Sequence, residues 1–256
     1  MKIPILCYHG ISNNLSAVKA EDSPYFITPE EFEKQIKWLK KNNFKAIKAE
    51  EFLKKEFEKN SIIISFDDGQ VSNYTYAFPI LKKYGMKAIF FVIAGKIGQF
   101  GYLSKGQIKK MLQQGMEIGS HTVTHSILVG KNKKKVLQEL VDSKLILEKA
   151  LGIKIDFVAI PRGFYNERIK RFVKIACYQA AFTSKFGYND ANTELLHLKR
   201  ITIKSSHSFK RFKGLVKQDK KEIFLESSKQ SVFNACKKIF GIKNYNKIRR
   251  IMLEGK

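Results

Sequence analysis

The chain of 256 residues carries 48 lysines and arginines against 23 aspartates and glutamates, a formal charge of +25, and 44% of its residues are hydrophobic. This composition excludes a disordered or fibrous chain and fits one large globular domain. Three cysteines, Cys7, Cys177 and Cys236, lack CxxC or zinc-ribbon spacing, which argues against a disulfide framework and suits a reducing compartment.

Residues 2–7 (Lys-Ile-Pro-Ile-Leu-Cys) are the first expected strand, with Tyr8-His9-Gly10 at its C-terminal end. Pro4 breaks this opening run, which is too short for an export signal. No other segment approaches the roughly 20 apolar residues of a spanning helix, so the expected location is the cytoplasm. Thr28-Pro29-Glu30-Glu31 is a helix start with threonine as N-cap and proline at the first position. Phe32, Ile36 and Leu39 follow at helical spacing. A short strand at 44–47 and a helix over 49–59 lead to the strand 61–66, whose β-branched run ends in Asp67-Asp68-Gly69.

The next helix spans 74–84, interrupted near Pro79 and ended by Gly85. Residues 87–93 are a strand apolar on both faces, as in a parallel sheet. A helix over 104–114 precedes a strand at 116–119 that runs into His121-Thr122-Val123-Thr124-His125. The longest helical pattern covers 134–151, with Val136, Leu140, Leu147 and Leu151 on one stripe. A strand over 156–160 turns at Pro161-Arg162-Gly163; a helix at 167–176 and strands at 179–183 and 196–203 complete the alternation. Strands alternating with helices favour a β/α barrel or a doubly wound sheet, with sites at the C-terminal strand ends.

Residues 205–256 form a distinct basic tail, 14 basic against 4 acidic residues, with two amphipathic helical patterns separated by Gly241. The first holds Val232, Phe233, Cys236, Ile239 and Phe240, and the second Tyr245, Ile248, Ile251 and Met252. Such helices lie on an anionic bilayer or dock on the main domain.

Asp67, Asp68, His121, His125 and His9 all fall at strand ends. Adjacent carboxylates repel, and a cation relieves them. His121 and His125 are expected to share one face of a helical turn, as two metal ligands require. One carboxylate with the two histidines makes a site with an open position for water, and the other carboxylate takes that water's proton.

On these residues the chain resembles the polysaccharide deacetylases of the NodB-homology type, carbohydrate esterase family 4, over roughly residues 3–203. Ser65-Phe66-Asp67-Asp68-Gly69 is similar to the family's first motif, which implies Asp67 as general base and Asp68 as metal ligand. His121-Thr122-Val123-Thr124-His125 resembles the second, implying two histidine ligands. Phe157-Val158-Ala159-Ile160-Pro161-Arg162-Gly163 resembles the third, so Pro161, Arg162 and Gly163 line the groove and the Arg162 N–H meets the oxyanion. The family's arginine two residues before that proline is replaced by Ala159, and Leu196-His197, expected within a strand, is a poor match to the late motif that supplies the acid.

Cys7-Tyr8-His9-Gly10-Ile11 instead resembles the N-terminal motif of the poly-β-1,6-N-acetylglucosamine deacetylase branch, which implies His9 as the acid and Tyr8 as a groove residue. The resemblance implies an α/β fold, a distorted (β/α)7 barrel over 1–204, and a divalent ion, Zn2+ first. The expected activity is hydrolysis of the N-acetyl group of an N-acetylated polysaccharide or oligosaccharide. An alternative keeps the chemistry, as a deacetylase or deformylase, on a lipid-linked saccharide at the cytoplasmic membrane face. A nucleic-acid module is disfavoured because no RRM, KH, zinc-finger or helix-turn-helix signature is present, and a non-catalytic carbohydrate binder because five polar positions match.

Overall fold

The computed structural model describes residues 1–232; the tail patterns expected over 233–240 and 245–252 lie outside them. Eight strands are present among the described residues: β1 Ile5–Tyr8, β2 Lys45–Ala46, β3 Ser61–Phe66, β4 Ile89–Val92, β5 Glu117–Ser120, β6 Phe157–Ala159, β7 Ala180–Phe182 and β8 Ile201–Thr202. All pair in parallel, in the order β7-β6-β5-β4-β3-β1-β8, with β2 off this path beside β3. The segment 198–203 closes the curl. Leu198 N donates to Ala181 O (2.9 Å) on one side, and Ile203 N donates to Cys7 O (2.9 Å) on the other. The result is the distorted (β/α)7 barrel.

Helices cover the outside because their apolar stripes meet the outward residues of each strand. In α1 (Pro29–Lys41), the Thr28 hydroxyl accepts from Glu31 N, and Phe32, Ile36 and Leu39 are buried. The helix expected over 49–59 is shorter: α2 runs Ala49–Leu53. The chain does not break at Pro79. A wide π-turn over Asn73–Ala77 runs straight into α3 (Phe78–Lys83), and this local widening just before Pro79 lets the helix accommodate the proline without breaking.

In α4 (Lys105–Gln113), Ser104 and Gln107 form a reciprocal capping box. The long helix is a single run assembled from α5 (Lys133–Leu137), a second π-turn over Gln138–Asp142, and α6 (Ser143–Leu151). After α7 (Glu167–Ile175), Leu196 and His197 lie in a 3-10 turn, Leu195–His197, rather than in the strand expected there; Leu198 makes a single bridge to Phe182, and the strand proper is Ile201–Thr202. Phe212, Leu215 and Val216 of α8 (Phe209–Val216) belong to the same core as the barrel helices.

Strand parity decides what faces inward. Leu6, Ile62, Ile64, Phe66, Phe90 and Val92 pack toward the helices, while Ile5, Ile63, Ile89, Phe91, Phe157, Ala159, Ala180, Phe182 and Leu198 fill the barrel interior. Continuing the inward series by two residues leads from Ile5 through Cys7 to His9 and from Ile63 through Ser65 to Asp67. The apolar plug thus ends where the polar groups begin. Gly119, on β5, lets the Phe91 ring pass at a spot where a Cβ would lie 2.5 Å from it.

At the opposite end, Glu117 accepts from Ala49 N (2.6 Å) and Glu50 N (3.2 Å), capping α2 from another strand. Burial raises its pKa to about 7, against the lowering effect of those N–H groups. Because the folded value exceeds the unfolded one, this group's contribution to stability is full below about pH 4.3 and declines as pH rises toward 7. Glu117→Gln is expected to flatten the pH dependence of the urea midpoint in that window. Glu117→Ala is expected to lose about 1 kcal/mol through the vacated cap.

Candidate active site

Asp67 follows β3 directly, and its N–H donates to Tyr8 O (2.9 Å), so the backbone is still held by the sheet. The residue is 3% exposed, and its side chain meets a fully buried arginine from the closing segment: Arg200 Nη1 donates to Oδ1 (2.7 Å) and Nη2 to Oδ2 (2.8 Å). Arg200 Nε donates to Thr183 O (2.9 Å), which fixes the plane of the guanidinium. Burial alone would raise the Asp67 pKa; Arg200, aided by His121 and His9, outweighs it and holds the carboxyl well below the usual range. The Cys7 thiol lies 3.6 Å from Oδ2, and burial pushes its own pKa well up, so it stays a neutral thiol.

The chain then turns sharply. Asp68 (φ 73°) and Gly69 (φ 65°) are both left-handed, and a Cβ on Gly69 would lie 3.1 Å from Val92 Cα. This swings Asp68 away from Arg200 and toward the histidines. Its Oδ1 lies 3.5 Å from His121 Nε2 and 3.4 Å from His125 Nε2, and it is buried without a hydrogen-bond partner. His121 Nδ1 lies 2.8 Å from Ala159 O, which leaves Nε2 as the free lone pair when Nδ1 carries the proton. His125 is kept neutral: burial first, then His121, lowers its pKa to about 4 against the pull of Asp68.

These separations match a tetrahedral ion, since bonds of about 2.0–2.1 Å place donors about 3.3 Å apart. Asp68, His121 and His125 form a three-ligand group whose donor atoms all lie within 4.8 Å of one another. The residues fit a divalent cation. They do so without the expected helical turn: residues 121–128 are a loop, with Thr122 (φ 64°) and His125 (φ 61°) left-handed, and these reversals bring the two rings to 4.9 Å.

His9 stands at the rim, in a second group with Cys7 and Asp67 whose polar atoms also lie within 4.8 Å. Burial lowers its pKa, opposed by Asp68 and Asp67, and its ring lies 4.9 Å from that of Tyr25. The turn Pro161–Gly163 sits at the end of β6 with Arg162 (φ 57°) and Gly163 (φ 67°) left-handed. Tyr8 does not reach the groove. Parity turns it outward, where it is 2% exposed, edge-on to Phe32, stacked on Phe66 and hydrogen-bonded to Gln35 (2.7 Å).

Residues 54–181 match the family model of polysaccharide deacetylases. YxkH of Bacillus subtilis, which carries the polysaccharide deacetylase name, is 32% identical over 225 residues, 86% of this chain and 77% of its own. The chain belongs to the polysaccharide deacetylase family. It is also 31% identical over 216 residues to the poly-beta-1,6-N-acetyl-D-glucosamine N-deacetylase of Staphylococcus aureus, covering 76% of this chain and 74% of that one. Among solved structures, the Streptococcus pyogenes deacetylase PplD in complex with acetate superposes with a TM-score of 0.77 at 30% identity, over 84% of this chain and 98% of that chain. The chain is accordingly a hydrolase of carbon–nitrogen amide bonds.

Arg200 was not singled out by sequence, although Ala159 left the carboxylate without its arginine. The signal available was alternation: Ile201 and Ile203 face the helices, so Arg200 and Leu198 share the inner face. Removing one partner of a buried ion pair costs about 3–5 kcal/mol. Arg200→Ala is expected to lose stability of that order and to shift the acid limb of the kcat/KM profile toward neutral pH, because Asp67 then keeps its burial without its counter-charge. Arg200→Lys retains the charge and is expected to shift the limb less. Unfolding titrations and pH–rate profiles read both effects; an unmoved limb in both variants would remove Arg200 from this role.

Proposed function

We propose that this deacetylase removes the acetyl group from the nitrogen of an N-acetylated sugar in a polysaccharide or oligosaccharide, with a β-1,6-linked N-acetylglucosamine chain as first candidate. The observation that carries the reading is the orphaned Asp68 Oδ1 between two histidine Nε2 atoms, beside an Asp67 held ionised by Arg200. The names of the Staphylococcus aureus relative and of the acetate-bound Streptococcus pyogenes structure support the substrate class.

Asp68, His121 and His125 would hold the divalent cation, with zinc favoured by two imidazoles and one carboxylate. A cation bound there supplies Lewis acidity for the acetamide carbonyl and acidifies the attacking water, which a base as weak as Asp67 requires. Asp67 takes one proton from that water while Arg200 keeps the carboxylate oriented. The Arg162 N–H, on its left-handed turn, is the oxyanion donor. His9, neutral near pH 7, relays a proton to the departing nitrogen; its place beside Asp67 gives the proton taken from water a short path. Acetate leaves, and the sugar retains the amine.

Metal content and acetate release from N-acetylglucosamine oligomers test this reading. Asp67→Asn is expected to keep the metal and lose activity by about 10²–10⁴-fold, whereas Asp68→Asn is expected to lose both. A metal-free parent, or undiminished activity in Asp67→Asn, would sink the mechanism.

The surface favours a second reading, a lipid-linked saccharide at an anionic membrane face. Along the helix at 220–232, Glu226 turns inward to Lys204 (3.1 Å) and Arg211, while Phe224 (70% exposed), Val232 (64%), Lys220, Lys221 and Lys229 face solvent. No helix among the described residues is long and apolar enough to cross a membrane. Flotation with anionic liposomes is expected to carry the parent and to carry Phe224→Ser/Val232→Ser less. Truncation near residue 204 is unsuitable because it removes Phe212, Leu215 and Val216 from the core.

A further inference from the structure

The loop that carries His121 and His125 has two left-handed non-glycine residues and no regular structure of its own. Each such residue costs of order 1–2 kcal/mol, so an unsupported loop would relax. His121 has support of its own, since it leaves β5 directly and is fixed through Ala159 O. His125 does not. Its N–H donates to Thr122 Oγ1 (3.2 Å), but Thr122 is itself one of the left-handed residues.

The support comes from the long helix. Glu139, 9% exposed, accepts from Val123 N (3.0 Å) and Thr124 N (2.9 Å) with Oε2, and from the Thr124 hydroxyl with Oε1. One turn further on, Ser143 Oγ lies 2.8 Å from Ser120 Oγ, which accepts from Thr122 N (3.2 Å). Both residues lie on the side of the helix facing the loop. The π-turn Gln138–Asp142, which contains Glu139, widens the helix where the carboxylate must reach the loop.

We propose that Glu139 is a positioning residue that fixes His125 in ligating geometry by holding the Val123–Thr124 backbone in its left-handed loop. The inference rests on the reading of Asp68, His121 and His125 as the cation's ligands. Glu139 makes no hydrogen bond to His125 itself. It acts by giving the loop's two N–H groups one shared buried acceptor, Oε2, while Oε1 takes the Thr124 hydroxyl; no other side chain of the long helix accepts from those two N–H groups among the described residues.

Zinc affinity of the metal-free protein, measured by competition with a chromophoric chelator, tests the proposal without reference to turnover. Glu139→Ala is expected to weaken zinc binding by about 10–100-fold. Glu139→Gln, isosteric and retaining one oxygen, is expected to fall between that variant and the parent. Because Glu139 acts through His125, Glu139→Ala made in a His125→Ala background is expected to change affinity by less than about 2-fold, a non-additivity that a general loss of stability would not produce. Hydrogen exchange of the Val123 and Thr124 amides in the metal-free protein is expected to quicken in Glu139→Ala and to change less in Glu139→Gln, whose one oxygen can still accept from both. Parental zinc affinity in both variants, or a full additive loss in the His125→Ala background, overturns the role of Glu139 and leaves the ligand assignment standing. A parent that takes up no zinc or other divalent ion overturns the ligand assignment as well.

Discussion

Two adjacent carboxylates at the end of a buried strand repel each other, and the rest of the site follows from how they are kept apart. Repulsion and desolvation both favour protonating one of them. The structure separates their environments by backbone geometry. Asp67 keeps the extended course of β3 and meets Arg200 in a two-pronged pair, while Asp68 enters a left-handed turn and faces the opposite way. Each acid therefore has its own surroundings, a guanidinium built into the barrel for one and a three-ligand group that fits a divalent cation for the other. A guanidinium is suited to the first task because it stays charged at any working pH and matches the carboxylate geometry.

The barrel makes this division possible through strand parity. Below the site the interior is apolar, with Phe91, Phe157, Phe182 and the isoleucines of β1, β3 and β4 forming a stiff floor. The same inward positions become Cys7, Ser65 and Asp67, with His121 arriving from β5, within one or two residues of the strand ends. Left-handed non-glycine residues gather at this face, at Asp68, Thr122, His125 and Arg162. Strain of this kind persists where surrounding hydrogen bonds over-determine the backbone, as those to Glu139 and Ser120 do for the histidine loop.

Periodicity in the sequence revealed most of the elements because the forces behind it are local: apolar stripes at helical spacing, Thr28 and Ser104 as caps, and β-branched runs for buried strands. Asp67-Asp68-Gly69 and the histidine pair were legible because their chemistry is unusual at strand ends. What stayed hidden depends on residues distant in the chain or on a sign that spacing does not carry. Arg200 meets Asp67 across 133 positions. Tyr8 adjoins His9, yet parity sends the tyrosine to the helices and the histidine to the groove. Four-residue spacing suggested a helical turn for His121 and His125, where two left-handed residues achieve the same proximity by another route. The π-turns, one of which aims Glu139, have no signature at the level of hydrophobic pattern.

The basic helix at 220–232 is mechanically joined to the loops at the C-terminal ends of the strands. Gln230 accepts from Phe186 N (2.7 Å) and donates to Ser184 O (2.9 Å), clamping the loop after β7. Ser184 in turn fills the space beside Gly163, where a Cβ would lie 2.6 Å from its own, so the turn that presents the Arg162 N–H leans directly on the clamped loop. The inward glutamates of the helix are paired with Lys204 and Arg211, and Lys204 lies just beyond the segment that carries Arg200. The outward lysines and apolar residues are thereby held in fixed orientation relative to the groove. Their orientation is thus set by the same closing segment that supplies the counter-charge to Asp67.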